Sequence, residues 1–222
     1  MLRRTSLLAL LLSVLSHSAA PAAPPLKALI IDGQNNHDWK STTPLLKSSL
    51  ELSGLFTVSV ATTPPKGTDG FAPEFSDYDV VVSNYNGEPW PEATQQAFEK
   101  YMQSGGGLVV VHAANNAFPK WDEWNRMIGL GGWGGRNEKS GPYVRFRDGQ
   151  IVKDETAGQG GSHGKQHPFP VVMRDQKHPI TAGLPGVWMH VQDELYDRLR
   201  GPAENIHVLA TAFASPEQGG SG

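Results

Sequence analysis

Apolar residues gather into short runs in the first half of this chain and scatter in the second. Leu26 to Ile31 (LKALII) is nearly continuous and closes on Asp32-Gly33, the form of a buried strand. Phe56 to Ala61 alternates with a period of two, Asp79 to Ser83 (DVVVS) is apolar inside, and Leu108 to His112 (LVVVH) is β-branched and ends on an imidazole. Helical spacing fills the intervals. Leu45, Leu46 and Leu50 make one stripe, with Ser41 or Thr42 as cap, Pro44 in the first turn and Gly54 as the stop. Ala97, Phe98, Tyr101 and Met102 make a second, in a helix predicted from Pro91 to Ser104 that Gly105 to Gly107 ends. Strands alternating with helices at these lengths predict an α/β fold with a doubly wound, mainly parallel sheet.

From Pro119 onward the regularity is lost. Trp121 to Ile128 reads as a short amphipathic helix and Gly129 to Gly141 as a glycine-rich loop. Val144 to Arg147 and Gln150 to Lys153 flank Asp148-Gly149 as a hairpin, and Phe169 to Arg174 and Asn205 to Phe213 are further strands. The second half thus reads as an irregular glycine-rich insertion over the sheet, followed by a return to it. Gly129 to Gly134 matches G-x-G-x-x-G by letter but follows a helix, not a strand, so no nucleotide cofactor is expected.

The amino-terminal pattern belongs to export. Arg3 and Arg4 precede an apolar run, Leu7 to Leu15, too short to span a bilayer, and Ser18-Ala19-Ala20 offers a cleavage site. Residues 1–20 are therefore expected to be a signal peptide, 21–25 a Pro/Ala leader and 26–222 the domain, delivered to the periplasm or the extracellular space. Without Arg3 and Arg4 the net charge moves from −3 to −5, which argues against nucleic acid as a partner, and no membrane contact is expected after cleavage. There is no cysteine, so lipoprotein acylation and thiol chemistry are both excluded. Ser215 to Gly222 has a turn or linker composition, and a carboxyl-terminal truncation is expected from it.

In a parallel sheet, the loops at the carboxyl ends of the strands share one rim. That rim collects Asp32 with His37, Asp38 and Trp39, then Asn84 with Asn86, then His112 with Asn115 and Asn116. Hydrogen-bonding side chains edged by aromatics (Trp39, Tyr85, Trp90, Phe118, Trp121) suit a polyhydroxylated ligand, since ring faces take the apolar side of a sugar. His112 is the candidate acid or base, with Glu194 or Asp193 as its carboxylate; being adjacent, these two cannot both point inward. The alternatives are an ordinary hydrogen-bonded histidine and a surface acidic pair. A divalent metal is a further possibility, with His112, His163 and His167 as candidate ligands, although Gly160 to Pro168 reads as a loop. Val111-His112-Ala113 stands where a strand-to-helix elbow would need Ser or Cys, which removes a G-x-S-x-G hydrolase.

The motifs Asp32-Gly33 with His37-Asp38-Trp39, Asp79 to Val82 with Asn84, Gly106 to Ala114, His178-Pro179-Ile180 and Asp193-Glu194-Leu195-Tyr196 resemble, in order, those of the ThuA-like (trehalose utilisation) domain. The resemblance implies a flavodoxin-like sheet of the class I glutamine amidotransferase type and a link to disaccharide or keto-sugar catabolism. It adds His178 and Tyr196 to the candidate substrate contacts Asp32, His37, Asp38, Trp39, Asn84 and Asn115. In that superfamily the elbow carries the catalytic cysteine; His112 stands near it here, so amidotransferase activity does not carry over. Two readings result: an exported enzyme performing acid-base or metal-assisted chemistry on a carbohydrate, or a carbohydrate-binding domain without catalysis.

Overall fold

The computed structural model describes residues 23–222, so the expected signal peptide lies outside the described residues. Strands β1 (Leu26–Asp32), β2 (Phe56–Thr62), β3 (Val80–Ser83) and β4 (Gly107–Val110) form a parallel sheet in the order β2-β1-β3-β4. Helix α1 (Trp39–Leu52) joins β1 to β2, α2 (Glu92–Gln103) joins β3 to β4, and α3 (Asp122–Ile128) follows β4. The chain runs outward from β1 to β2 and then crosses back over β1 to β3. Loops leaving β1 and β3 therefore diverge, which opens a crevice at their carboxyl ends.

Alternation along the strands divides the core. Leu29, Ile31 and Val81 pack into a cluster with Phe71, Phe75, Tyr85, Trp90, Phe98, Phe118 and Trp124. Trp90 sits at its centre, with seven ring neighbours at centroid distances of 4.9 to 6.4 Å. This corrects one expectation: Tyr85, Trp90, Phe118 and Trp121 are buried in the core and do not edge a pocket. The physical reason is coverage, because one helix cannot fill the face of three strands, and each large ring buries about 150–250 Å². Val82 and its neighbour set point the other way, where Asn84 donates from Nδ2 to Thr42 and Thr43 Oγ1 of α1 at 3.0 and 3.1 Å.

Helix α1 starts earlier than the spacing predicts. Its cap is Asp38, which accepts the Ser41 amide at 3.2 Å and the Ser41 hydroxyl at 2.6 Å, so Pro44 falls in the second turn. Leu45, expected on the buried stripe, is 67% exposed, and Thr43 is buried in its place.

In the second half β5 (Tyr143–Arg147) and β6 (Gln150–Asp154) form the expected hairpin. β7 (Ser162–His163) pairs with β10 (Tyr196–Asp197), while β8 (His167–Met173), β9 (Val187–Asp193) and β11 (Ala210–Thr211) make an antiparallel sheet in the order β11-β8-β9. Among the described residues none of these strands rejoins the parallel sheet, and the strand expected over Asn205 to Phe213 contracts to β11. Among the described residues no helix is long and apolar enough to cross a membrane.

Two buried arginines fasten this half. Arg136 donates to the carbonyls of Asn116, Gly132 and Ala117 and to Asn125 Oδ1 at 2.7 to 3.2 Å. Burial pushes its pKa down to about 10, which leaves it charged at neutral pH. Arg200, fully buried, donates to the carbonyls of Gly141, Thr156 and Gly158, lies 3.8 Å from the Tyr143 ring and exchanges both backbone bonds with Gly131. A lysine has a single point of donation in place of the planar fork. Arg136→Lys, which strands several carbonyls, is expected to lower unfolding free energy by about 2–4 kcal/mol, and Trp90→Ala by about 3–5 kcal/mol. Urea denaturation followed by tryptophan fluorescence for the first and circular dichroism for the second checks both; an Arg136→Lys midpoint equal to wild type would refute the fastening role.

Candidate active site

His112 leaves β4 in a backbone turn that few residues adopt. The ladder ends with the Val111 amide donating to the Ser83 carbonyl at 2.9 Å, and His112 then takes φ +45°, starting a 3₁₀ turn that runs to Asn116. A left-handed non-glycine residue costs on the order of 1–3 kcal/mol and persists only where its surroundings hold it. The turn throws the imidazole off the sheet and onto the rim.

Three other segments meet it there. His37 comes from the loop after β1, where its amide donates to Asn35 Oδ1 at 2.9 Å and Asn35 Nδ2 donates to the Asn84 carbonyl at 3.1 Å. Its ring stands edge-on to that of His112 with centroids 4.5 Å apart. The link between β9 and β10 supplies Glu194, whose Oε2 lies 3.8 Å from His112 Nε2 and whose Oε1 lies 4.0 Å from His163 Nε2. Tyr196 lays its ring 4.2 Å from that of His112 and brings its hydroxyl to 3.4 Å from His37 Nε2. Trp133 closes against Tyr196 at 4.8 Å, an approach that needs a glycine at 161, where a Cβ would stand 2.4 Å from the Trp133 amide nitrogen.

Burial, then the neighbouring His37, holds the His112 pKa below its ordinary 6.5; Asp193 and Glu194 oppose this and His163 adds to it. Burial raises the Tyr196 phenol above its usual 10, with Glu194 and Asp193 acting in the same direction. At neutral pH the site therefore offers a free imidazole lone pair beside an intact phenol.

Not every candidate residue reaches this cluster. Asp38 is occupied in capping α1, and hydrogen bonding by Ser41 lowers its pKa. Asn84 ties β3 to α1 through the threonine bonds given above. Asp193 spends its Oδ1 on the Glu194 amide at 2.8 Å and acts on His112 and Tyr196 through its charge alone. Asp32 and Asn115 stand on the rim, each with a buried Oδ1 that has no hydrogen-bond partner. Trp39 lines a neighbouring cleft of about 640 Å³ together with Gly33, Gln34, Asn35, Asn36 and Asn86. That cleft adjoins the His37 loop but is not lined by His112 or Glu194. His167 faces away, its Nδ1 2.7 Å from the Lys165 carbonyl and its ring beside Phe169. His178 lies beyond the far end of β8, about 20 Å of strand from the His167 end that pairs with Asp193, and its ring meets His207 instead. Trp133 was missed by sequence reasoning; an aromatic isolated among Gly131, Gly132, Gly134 and Gly135 is the signal that marks it.

The family model for trehalose utilisation, ThuA, matches residues 27–221. The chain belongs to the ThuA family. A solved ThuA-like protein from Parabacteroides merdae ATCC 43184 is 52% identical with a TM-score of 0.86, covering 89% of this chain and 72% of its own. Another, from Bacteroides uniformis ATCC 8492, is 23% identical with a TM-score of 0.56 over 90% and 73%, a likeness that speaks for the fold. No curated protein matches the chain. The resemblance seen in the motifs is thus borne out.

The electrostatics of this ThuA domain make a pH prediction. A histidine whose folded pKa is depressed is protonated first in the unfolded chain, so its contribution to stability is full above about 6.5 and is lost as pH falls toward the folded value. NMR titration of the His112 ring in metal-free protein is expected to give a midpoint below 6.5. His37→Ala removes one downward cause and moves that midpoint up. A midpoint at or above 6.5 in the wild type would refute the burial and His37 argument.

Proposed function

We propose that this chain is an exported protein that performs proton-transfer chemistry on a carbohydrate at the carboxyl ends of its parallel strands. The reading takes that sheet as flavodoxin-like and doubly wound. It is supported by the family's connection with trehalose utilisation and by the export pattern of residues 1–20. The observation that carries it is the meeting of His112, Tyr196 and Glu194 from two halves of the chain, with an imidazole lone pair and a phenol 4.2 Å apart, ring to ring.

The roles follow from chemistry. Neutral His112 accepts a proton from a sugar hydroxyl or from carbon beside a sugar carbonyl, and Glu194 stabilises the imidazolium that forms. Tyr196 keeps its proton at neutral pH and supplies it, or a hydrogen bond, to the oxygen on which charge develops. The faces of Trp133 and Trp39, both partly exposed, offer the flat apolar surface a pyranose ring stacks against. Serine and cysteine nucleophiles have no place in this arrangement.

The test is a panel of disaccharides and their 3-keto derivatives, with binding followed by calorimetry and products by chromatography. His112→Asn, chosen because asparagine tolerates a left-handed backbone, is expected to lower kcat by about 10²–10⁴-fold. Tyr196→Phe keeps the ring contact and is expected to lower kcat with KM little changed. Binding without turnover by wild type would replace the enzyme with a carbohydrate-binding domain, and absence of binding would overturn the carbohydrate reading itself.

A further inference from the structure

We propose that His37, His112 and Glu194 form a binding site for one divalent transition-metal cation. One donor atom from each lies within 4.8 Å of the other two, and His112 Nε2 and Glu194 Oε2 are 3.8 Å apart. A cation with bonds of about 2.0–2.2 Å holds tetrahedral donors about 3.4 Å apart. Closure therefore requires the His112–Glu194 pair to move by about 0.4 Å and any pair by at most about 1.4 Å, within the reach of side-chain torsions on partly exposed residues.

Three features make this more than proximity. The donors arrive from three separate segments, the loop after β1, the turn after β4 and the β9 to β10 link, and each is fixed by its own contacts. Glu194 is largely shielded, and among the described residues its ion-pair partners are His112 and His163, with no lysine or arginine in range. A shielded carboxylate without a fixed cation nearby is an unbalanced charge that a metal would balance. Two imidazoles and a carboxylate are also the donor set that favours zinc, iron, manganese or cobalt over magnesium and calcium, which prefer oxygen alone.

Three protein donors leave coordination positions open, the pattern of catalytic sites and not structural ones. Tyr196 and His163 stand just outside the donor set, placed to orient it and to handle protons. In this arrangement the His112 lone pair would coordinate the cation, so the proton-acceptor role given to His112 in the preceding section belongs to the cation-free site. What the cation does for a sugar, chelating two neighbouring oxygens, rests on the reading of the preceding section; the binding itself does not. The sequence pattern offers His112, His163 and His167 as ligands, and His37 as a holder of hydroxyls or a metal; the geometry groups His37 with His112 and Glu194.

The experiment uses chelator-treated protein titrated calorimetrically with Zn²⁺, Mn²⁺ and Mg²⁺ without sugar, and the metal retained after dialysis is counted by elemental analysis. One equivalent of Zn²⁺ per chain is expected, with Mg²⁺ bound far more weakly. Glu194→Gln and His112→Asn are each expected to weaken Zn²⁺ binding by at least about 100-fold, the upper end of losses seen for outer partners. His167→Ala leaves binding unchanged. Thermal melts of the metal-free variants verify folding, and His37→Gln replaces either variant should it fail to fold. Absence of Zn²⁺ binding by folded wild type, retention of it by the folded ligand variants, or its loss in folded His167→Ala would each overturn the site. A sugar titration run in chelator judges the carbohydrate reading separately.

Discussion

The site draws on two halves of unlike construction, and the buried Arg136, donating to backbone carbonyls on both sides, is a fastening between them. His37 and His112 follow strands of the parallel sheet, whereas Glu194, Tyr196 and Trp133 belong to a second half built of small antiparallel sheets and loops. Arg136 ties the turn carrying Asn116 and Ala117 to the loop carrying Gly132, one residue from Trp133. Arg200 braces the second half within itself, bonding Gly131 through its backbone and Gly141, Thr156 and Gly158 through its guanidinium. Among the described residues neither arginine is paired with a carboxylate, so each spreads its charge over carbonyl dipoles that irregular loops would otherwise leave unsatisfied. A long loop region normally lacks the hydrogen-bond partners that a sheet supplies, and here one planar fork replaces several ladder bonds.

The rim itself spends stability. His112 sits in a left-handed turn, and Asp32 Oδ1, Ser83 Oγ, Asn115 Oδ1 and Asn116 Oδ1 are buried without hydrogen-bond partners. Each unsatisfied buried polar atom costs about 1–3 kcal/mol. Their placement is not scattered, since all four lie at or just beyond the carboxyl ends of β1, β3 and β4. Elsewhere in the described residues the unpartnered atoms are two tryptophan ring nitrogens in the aromatic core. Strain and unsatisfied polarity concentrated on one edge are what a site retained at the expense of stability looks like.

The amino-acid sequence made the first half legible because buried parallel strands write continuous apolar runs, and a parallel arrangement forces their carboxyl ends to one side. Leu26 to Ile31, Asp79 to Ser83 and Leu108 to Val111 could hardly be read otherwise. The aromatic residues were harder. Tyr85 and Trp90 follow β3 among polar neighbours, and only tertiary packing decides that they turn beneath α2 rather than over the rim. The start of α1 was misplaced for a local reason, since Asp38, Ser41 and Thr42 are all good caps and the choice lies in hydrogen-bond geometry. Pairs of short strands such as Ser162–His163 with Tyr196–Asp197 carry no periodicity at all, so the approach of His163 to Glu194 had no signature along the chain.

Charge narrows what the rim can hold. The neighbours that shift His112 and Tyr196 are histidines, carboxylates and an asparagine, with no lysine or arginine among them. The two deeply buried arginines, Arg136 and Arg200, are committed to backbone carbonyls and unavailable to a ligand. A phosphorylated or carboxylated substrate would thus meet Glu194 and Asp193 without a compensating cation and pay both desolvation and repulsion. A neutral polyol avoids that penalty, and a divalent cation reverses its sign. The carbohydrate reading and the metal site are therefore compatible demands on the same electrostatics, and an anionic sugar becomes a plausible ligand only once a cation has been bound first.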